Sequence, residues 1–185
     1  MGILRCFKAV VAIATPLFLN ACSSLPPQLA SDNPNLVTQY NVWQSQLQLK
    51  PEVRLGGVIA KVSNLADKTR VEIVNLPIDS AGKPDIDLEP TGRFVAYVPG
   101  FVDPVALADG RLITVLGNAT GSETSEVGEY QYQFPTMDVT GFRLWRVEER
   151  VVIYDRYSDF SPCYGIACND IHFQPRQGRV IKDVR

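Results

Sequence analysis

The chain holds a single histidine, His172, among its 185 residues. Catalytic triads and most zinc sites draw on histidine, so both lack their usual parts here. Neither sign of charge dominates, with 18 basic residues against 20 acidic ones. Electrostatic capture of nucleic acid requires clustered Lys and Arg, and a mildly acidic chain does not supply them. The one extended apolar stretch, Ala9 to Leu19, has 11 residues, well short of the roughly 20 that a membrane-spanning helix needs. A phosphate-cradling loop is missing too. Gly117-Asn-Ala-Thr-Gly121 does not end in the Gly-Lys-Ser/Thr that such a loop requires.

The amino terminus has the layout of an export signal. Arg5 and Lys8 make a short positive region with no acid before Cys22, and the apolar stretch follows it. The stretch ends in Leu19-Asn20-Ala21-Cys22, which resembles the lipobox of bacterial lipoproteins: a branched apolar residue, a tolerant position, a small residue, then cysteine. The resemblance implies a signal peptide over 1–21, a diacylglyceryl group on the Cys22 thiol, and an N-acyl chain on the new amine. It also implies an outer-membrane destination, because Ser23, not aspartate, follows the cysteine. The anchored domain would then face the periplasm, with outer-membrane lipid as its first partner. Three acyl chains exceed the two signals needed for stable anchoring.

Cleavage after Ala21 leaves 164 residues, enough for one domain, and takes the net charge from −2 to −4. It also leaves Cys163 and Cys168 as the only other cysteines. In an oxidising compartment they read as a disulfide closing a small loop. As metal ligands they fall short of four even with His172, and their C-x4-C spacing differs from the C-x-x-C of redox pairs.

Residues 22–32, with Pro26-Pro27, read as a tether. Asn33-Pro34 reads as a helix start. Leu36, Tyr40, Trp43 and Leu47 then fall on one helical face, which Lys50-Pro51 terminates. From Arg54 the pattern turns to period two. Strands are expected through Val62, over Arg70–Leu76 after a polar turn, and over Phe94–Val98 beyond a long Pro- and Asp-rich loop. Arg111–Leu116 has apolar residues on both faces and reads as a central strand. Residues 117–128 read as a turn-rich hairpin loop. Tyr130, Tyr132 and Phe134 alternate with glutamines into a strand continuing to Val147, and Val151–Tyr154 reads as a last short one. The assignment is an all-β domain over 33–155, a small, partly open antiparallel barrel resembling the OB-fold with one N-terminal helix, followed by an irregular tail over 156–185.

Few residues suggest chemistry. Asp85 and Asp87 could hold a hard cation, but without the rest of an EF-hand loop they read as solvated acids. Gly56-Gly57 reads as a close backbone approach or a bulge, not as a ligand site. Asp155, Asp159 and Asp170 are scattered near the end. No residue set supports an enzyme, and no cofactor or metal site is indicated.

Six segments carry a family resemblance: RLGGVIAKV (54–62), KTRVEIVNLPID (68–79), RFVAYVPGFVDP (93–104), RLITVLGNATG (111–121), GEYQYQFP (128–135) and TGFRLW (140–145). In this order, behind a lipobox, they resemble the Slp family of outer-membrane lipoproteins. That resemblance implies a starvation- and stationary-phase envelope protein, and it supplies no reaction and no site residues. The expected role is therefore a non-enzymatic envelope lipoprotein with an envelope protein or peptidoglycan as partner. The alternative is a tethered barrel that binds a small ligand, using the Tyr130/Tyr132 face or the loops at one end.

Overall fold

The computed structural model describes residues 25–153 and 178–185. Five strands form the ring: β1 (Glu52–Asn64), β2 (Lys68–Leu76), β3 (Gly92–Pro99), β4 (Leu112–Val127) and β5 (Tyr130–Trp145). Their order around it is β1-β2-β3-β5-β4. Four of the contacts are antiparallel. The ring closes where β3 and β5 run parallel through only three residue pairs, Val95 with Thr136 to Tyr97 with Asp138. This is the OB-type order, and the short parallel seam is where such a barrel is most open.

Alternation builds the interior. Val71 and Ile73 of β2, Phe94, Ala96 and Val98 of β3, and Ile113 and Val115 of β4 all point inward and are buried. Two plugs close opposite ends of β3, a strand about 23 Å long at 3.3 Å per residue. At the Gly92 end sits α1 (Tyr40–Ser45). Its Trp43 lies edge-on to Phe94 at 5.7 Å, and its Tyr40 hydroxyl donates to the Arg93 carbonyl at 2.9 Å. At the Pro99 end the connection 100–111 buries Leu107. It is tied down by Gly100 N–H to the Asp67 carbonyl (2.9 Å) and Gly110 N–H to the Ile59 carbonyl (2.8 Å).

The central strand has a second buried side. Leu112 and Leu116 of β4 join Leu29, Leu76 and Trp145 in a separate apolar cluster on the outer wall. The loop between β2 and β3 is fastened there by the Thr114 hydroxyl, which donates to the Gly82 carbonyl at 2.5 Å and accepts from the Trp145 indole at 3.0 Å. Burial on both faces is what the unbroken apolar run of β4 requires.

Four segments differ from the sequence reading. The helix is shorter than 33–50. Val37 pairs with Val53, so the chain stays extended to Gln39. Asn33 serves a turn, its side chain accepting from Asn35 N–H at 2.9 Å. Residues 117–128 are not a loop. β4 runs through them, with shifts of register at Leu116/Gly117 and Ala119/Gly121 absorbing the glycines, and the turn is confined to Gly128-Glu129. The described part of the supposed tether is packed structure: Pro27–Leu29 forms a 3-10 turn and Leu29 is fully buried. The tail is not wholly irregular either. Gly178–Val184 is a strand, β7, antiparallel to β6 (Val147–Ile153).

Candidate functional site

The N-terminal strap can be followed against the strands beneath it. Val37 lies beside Val53, and the Ser31 hydroxyl donates to Glu52 at 2.6 Å. The Leu29 carbonyl accepts from Arg54 at 3.0 Å. Gln28 presses its carbonyl onto Gly141, where any Cβ would collide with it, and Leu25 rests against Gly82, which sits over Thr114. Since β1 and β4 pair Glu52 with Asn118 and Gly56 with Thr114, the strap moves along the wall away from α1. Towards its amino end it approaches the level at which the connection 100–111 enters β4. Leu25 and Leu29, four residues apart, are the apolar pins that hold it.

A second feature lies on the outside of β2 and β3. The distal half of the β4–β5 hairpin folds across this face and is clasped by charge. The Arg70 guanidinium donates twice to one Glu123 oxygen, from Nε at 2.9 Å and from Nη2 at 2.7 Å, while the Tyr97 hydroxyl donates to the other. Arg93 bonds Glu72 at 2.8 Å, and Arg70 lies 3.8 Å from the same carboxylate. Arg70 also stands over the Phe134 ring at 5.7 Å and Lys68 over Tyr97 at 4.0 Å. Beneath the clasp Val95 and Phe134 are fully buried. Burial first, then the bond to Glu123, raises the Tyr97 phenol above its ordinary range. Burial, helped by the neighbouring Tyr132, raises Tyr40 as well.

Chemically, this network satisfies itself. Its carboxylates face guanidinium and phenol groups, not an open cavity. With Arg70 and Glu123 only 13% and 27% exposed, the pair is worth more than a surface ion pair and less than a fully buried one. Glu123→Ala is expected to lower stability by about 1–2 kcal/mol, because Arg70 loses its principal acceptor. Urea denaturation at neutral pH would measure it, and a loss under about 0.3 kcal/mol would show that the clasp holds nothing. Stability should also fall as the pH climbs past about 10. There Tyr40 and Tyr97 ionise in the unfolded chain before they do so in the folded one.

Of the residues singled out in the sequence, Cys22, Cys163, Cys168, His172, Asp155, Asp159 and Asp170 lie outside the described residues. Asp85 is occupied as a turn acceptor, taking the Asp87 N–H at 3.0 Å. Gly57 is the close approach it was read as: a Cβ would collide with the Val74 carbonyl. Tyr132 packs edge-on against Phe134 at 4.7 Å and accepts the Arg93 N–H at 3.2 Å, while Tyr130 is exposed. Two grooves among the described residues flank α1, one of about 590 Å³ between Asn35 and Pro51 and one of about 360 Å³ beside Asn75 and Thr91. Neither tyrosine lines them. Sequence reading missed the clasp. Its one signal was Arg70 and Glu72 at outward positions between buried Val71 and Ile73.

Among the described residues no helix is long and apolar enough to cross a membrane. The described residues form an OB-type barrel strapped at its amino end, behind a segment that resembles a lipobox, and this is the layout of a lipoprotein. The family model described as "Outer membrane lipoprotein Slp family" matches residues 19–171, and the chain belongs to that family. It is 34% identical over 150 residues to the uncharacterized lipoprotein YeaY of Escherichia coli K12, covering 79% of this chain and 76% of that one. To the outer membrane protein Slp of the same organism it is 30% identical over 161 residues, covering 85% and 84%. Among solved structures, a small single-stranded DNA-binding protein from Streptomyces coelicolor matches 51% of this chain and 94% of its own, with a TM-score of 0.34 and 13% identity. So slight a likeness carries no function.

Proposed function

We propose that this outer membrane lipoprotein is non-enzymatic and acts by placement. Acyl chains on Cys22 hold it in the outer membrane, and its barrel, on the periplasmic side, keeps an envelope protein or peptidoglycan close to the membrane during starvation and stationary phase. The observation that carries this reading is the strap. The barrel begins, already packed, at Leu25, three residues after the lipobox cysteine. A domain on so short a leash has little freedom to search for soluble substrates. It has a high effective concentration toward anything at the same surface.

The self-satisfied clasp over β2 and β3 supports the same reading, since its charged groups are spent on the fold. The filled interior leaves the small-ligand alternative only the shallow grooves beside α1. Intact mass spectrometry of the protein purified from membranes should show a mature chain starting at Cys22 with its acyl groups. An unmodified Cys22 would sink the anchor. Crosslinking in starved cells should recover one recurrent envelope partner, and its absence would sink the placement role.

A further inference from the structure

The connection between β3 and β4 sorts its apolar residues in two directions. Leu107 is buried in the barrel end and Val102 packs against the same core. Phe101 and Val105 point the other way, 75% and 81% exposed. Leu65, in the β1–β2 turn bound to this connection through Asp67, is 46% exposed beside them. Asp103 fixes the outward display, its carboxylate taking the Val105 N–H at 2.8 Å and its carbonyl the Ala106 and Leu107 N–H groups.

We propose that this end of the barrel is a membrane-contacting face, with Phe101 and Val105 seated in the lipid surface that receives the Cys22 acyl chains. The inference rests on the anchoring reading given above and adds an orientation to it. What identifies the occupant is where the packed chain ends. Leu25 is fixed against Gly82 above Thr114, three residues along β4 from Arg111, where the connection ends. From Leu25 to Cys22 the chain spans at most about 11 Å. The bilayer surface therefore lies within that distance of the barrel wall, on the side toward which the strap has been travelling. The barrel cannot stand clear of it, and the end nearest the exit carries the exposed aromatic. The opposite end, plugged by α1, is turned toward the periplasm.

The contact is apolar, not Coulombic. Asp103 and Asp109 sit in the connection itself, with Asp67 in the neighbouring turn, while the cations at this end are turned to the protein, Arg111 to the Ala106 carbonyl and Lys68 to the Tyr97 ring. Anionic headgroups gain nothing from them, so seating should be indifferent to salt and no stronger on anionic lipid. Apolar side chains of this kind settle about 5–10 Å into the headgroup and acyl boundary.

The test uses the full mature protein, purified from membranes and reconstituted into phosphatidylethanolamine/phosphatidylglycerol vesicles containing lipids brominated near the glycerol end of the acyl chain. Phe101→Trp adds an indole at the proposed contact. Leu49→Trp adds one at the α1 end, where Leu49 is equally exposed at 75%. The native Trp43 and Trp145 are both buried and give a common background. The added emission of Phe101→Trp should fall by roughly half, as expected for a group at that depth, while that of Leu49→Trp stays unquenched. Equal quenching of both, or of neither, overturns the orientation. The mass of the amino terminus is read on the same samples, which separates the two ideas. An acylated protein without quenching at Phe101→Trp sinks the contact and leaves the anchor. Quenching in a protein without acyl chains sinks the anchor and supports the contact. Neither acyl chains nor quenching sinks both.

Discussion

Replacing Trp43 with alanine is expected to destabilise the domain by about 3–5 kcal/mol, the range for emptying a buried indole site. Trp43 is completely buried, and its ring meets Phe94 at 5.7 Å and Tyr40 at 6.4 Å, both edge-on. The backbone around it resists collapse. Gly92 is pressed by the Tyr40 ring so closely that a Cβ there would overlap it, and the Tyr40 hydroxyl is bonded to the β3 backbone. A cavity opened behind these groups stays open. Among the described residues the indole N–H has no hydrogen-bond partner, so the loss there is one of packing alone. Trp43→Phe, which keeps an aromatic ring and removes an unpaired donor, should cost nearer 1–2 kcal/mol. Urea unfolding followed by circular dichroism would give both values. A cost for Trp43→Ala below about 1 kcal/mol would show that α1 only lies on the barrel and does not complete it. For a domain of ordinary stability, about 5–15 kcal/mol, the expected loss removes a fifth or more.

The second large effect is on location. Cys22→Ser removes the group on which the proposed acyl chains are built, and each buried CH₂ of such a chain contributes about 0.8 kcal/mol to membrane binding. Phe101 and Val105, the exposed apolar residues at the barrel end, offer at most about 1.5–3 kcal/mol each even if fully buried. They cannot replace three chains. Fractionation should therefore show the variant lost from the outer membrane, as uncleaved precursor or as released protein. Its barrel should fold normally, because the strap from Leu25 onward is unchanged. Retention at the outer membrane at the native level would overturn the lipid anchor.

The parts of the fold that were legible in the sequence are those in which one face is apolar and the other is not. Val71 and Ile73, alternating with Arg70 and Glu72, announce a strand with one apolar face, and β2 is that strand, its polar face covered in turn by the clasp. Leu112 to Leu116, apolar throughout, announce burial on both sides, and the strap and the β2–β3 loop supply the second side. The stretch from Gly117 to Gly128 misled because glycine, asparagine and serine usually mean a turn. Here Gly117 lies where a Cβ would strike the Asp138 carbonyl, so the glycine permits a shift of register within a strand. Leu36, Tyr40, Trp43 and Leu47 share a helical spacing, yet pairing of Val37 with Val53 holds the first part extended. Local spacing does not report a partner sixteen residues away. The clasp was illegible for the same reason. Arg70 and Glu123 are 53 residues apart, and only the curl of the hairpin brings them together.

With Cys22 acylated as proposed, the strap also sets an order of events during biogenesis. An acyltransferase or a signal peptidase working within a bilayer must take the lipobox into its own active site, with several residues on either side extended. Leu25 lies three residues after Cys22, and in the folded protein it is committed, with Leu29, to the barrel wall. Processing at Cys22 and seating of the strap therefore compete for the same stretch of chain. Seating of the strap at Leu25 then has to wait until the enzymes have let go, while the rest of the barrel is free to fold with or without the anchor.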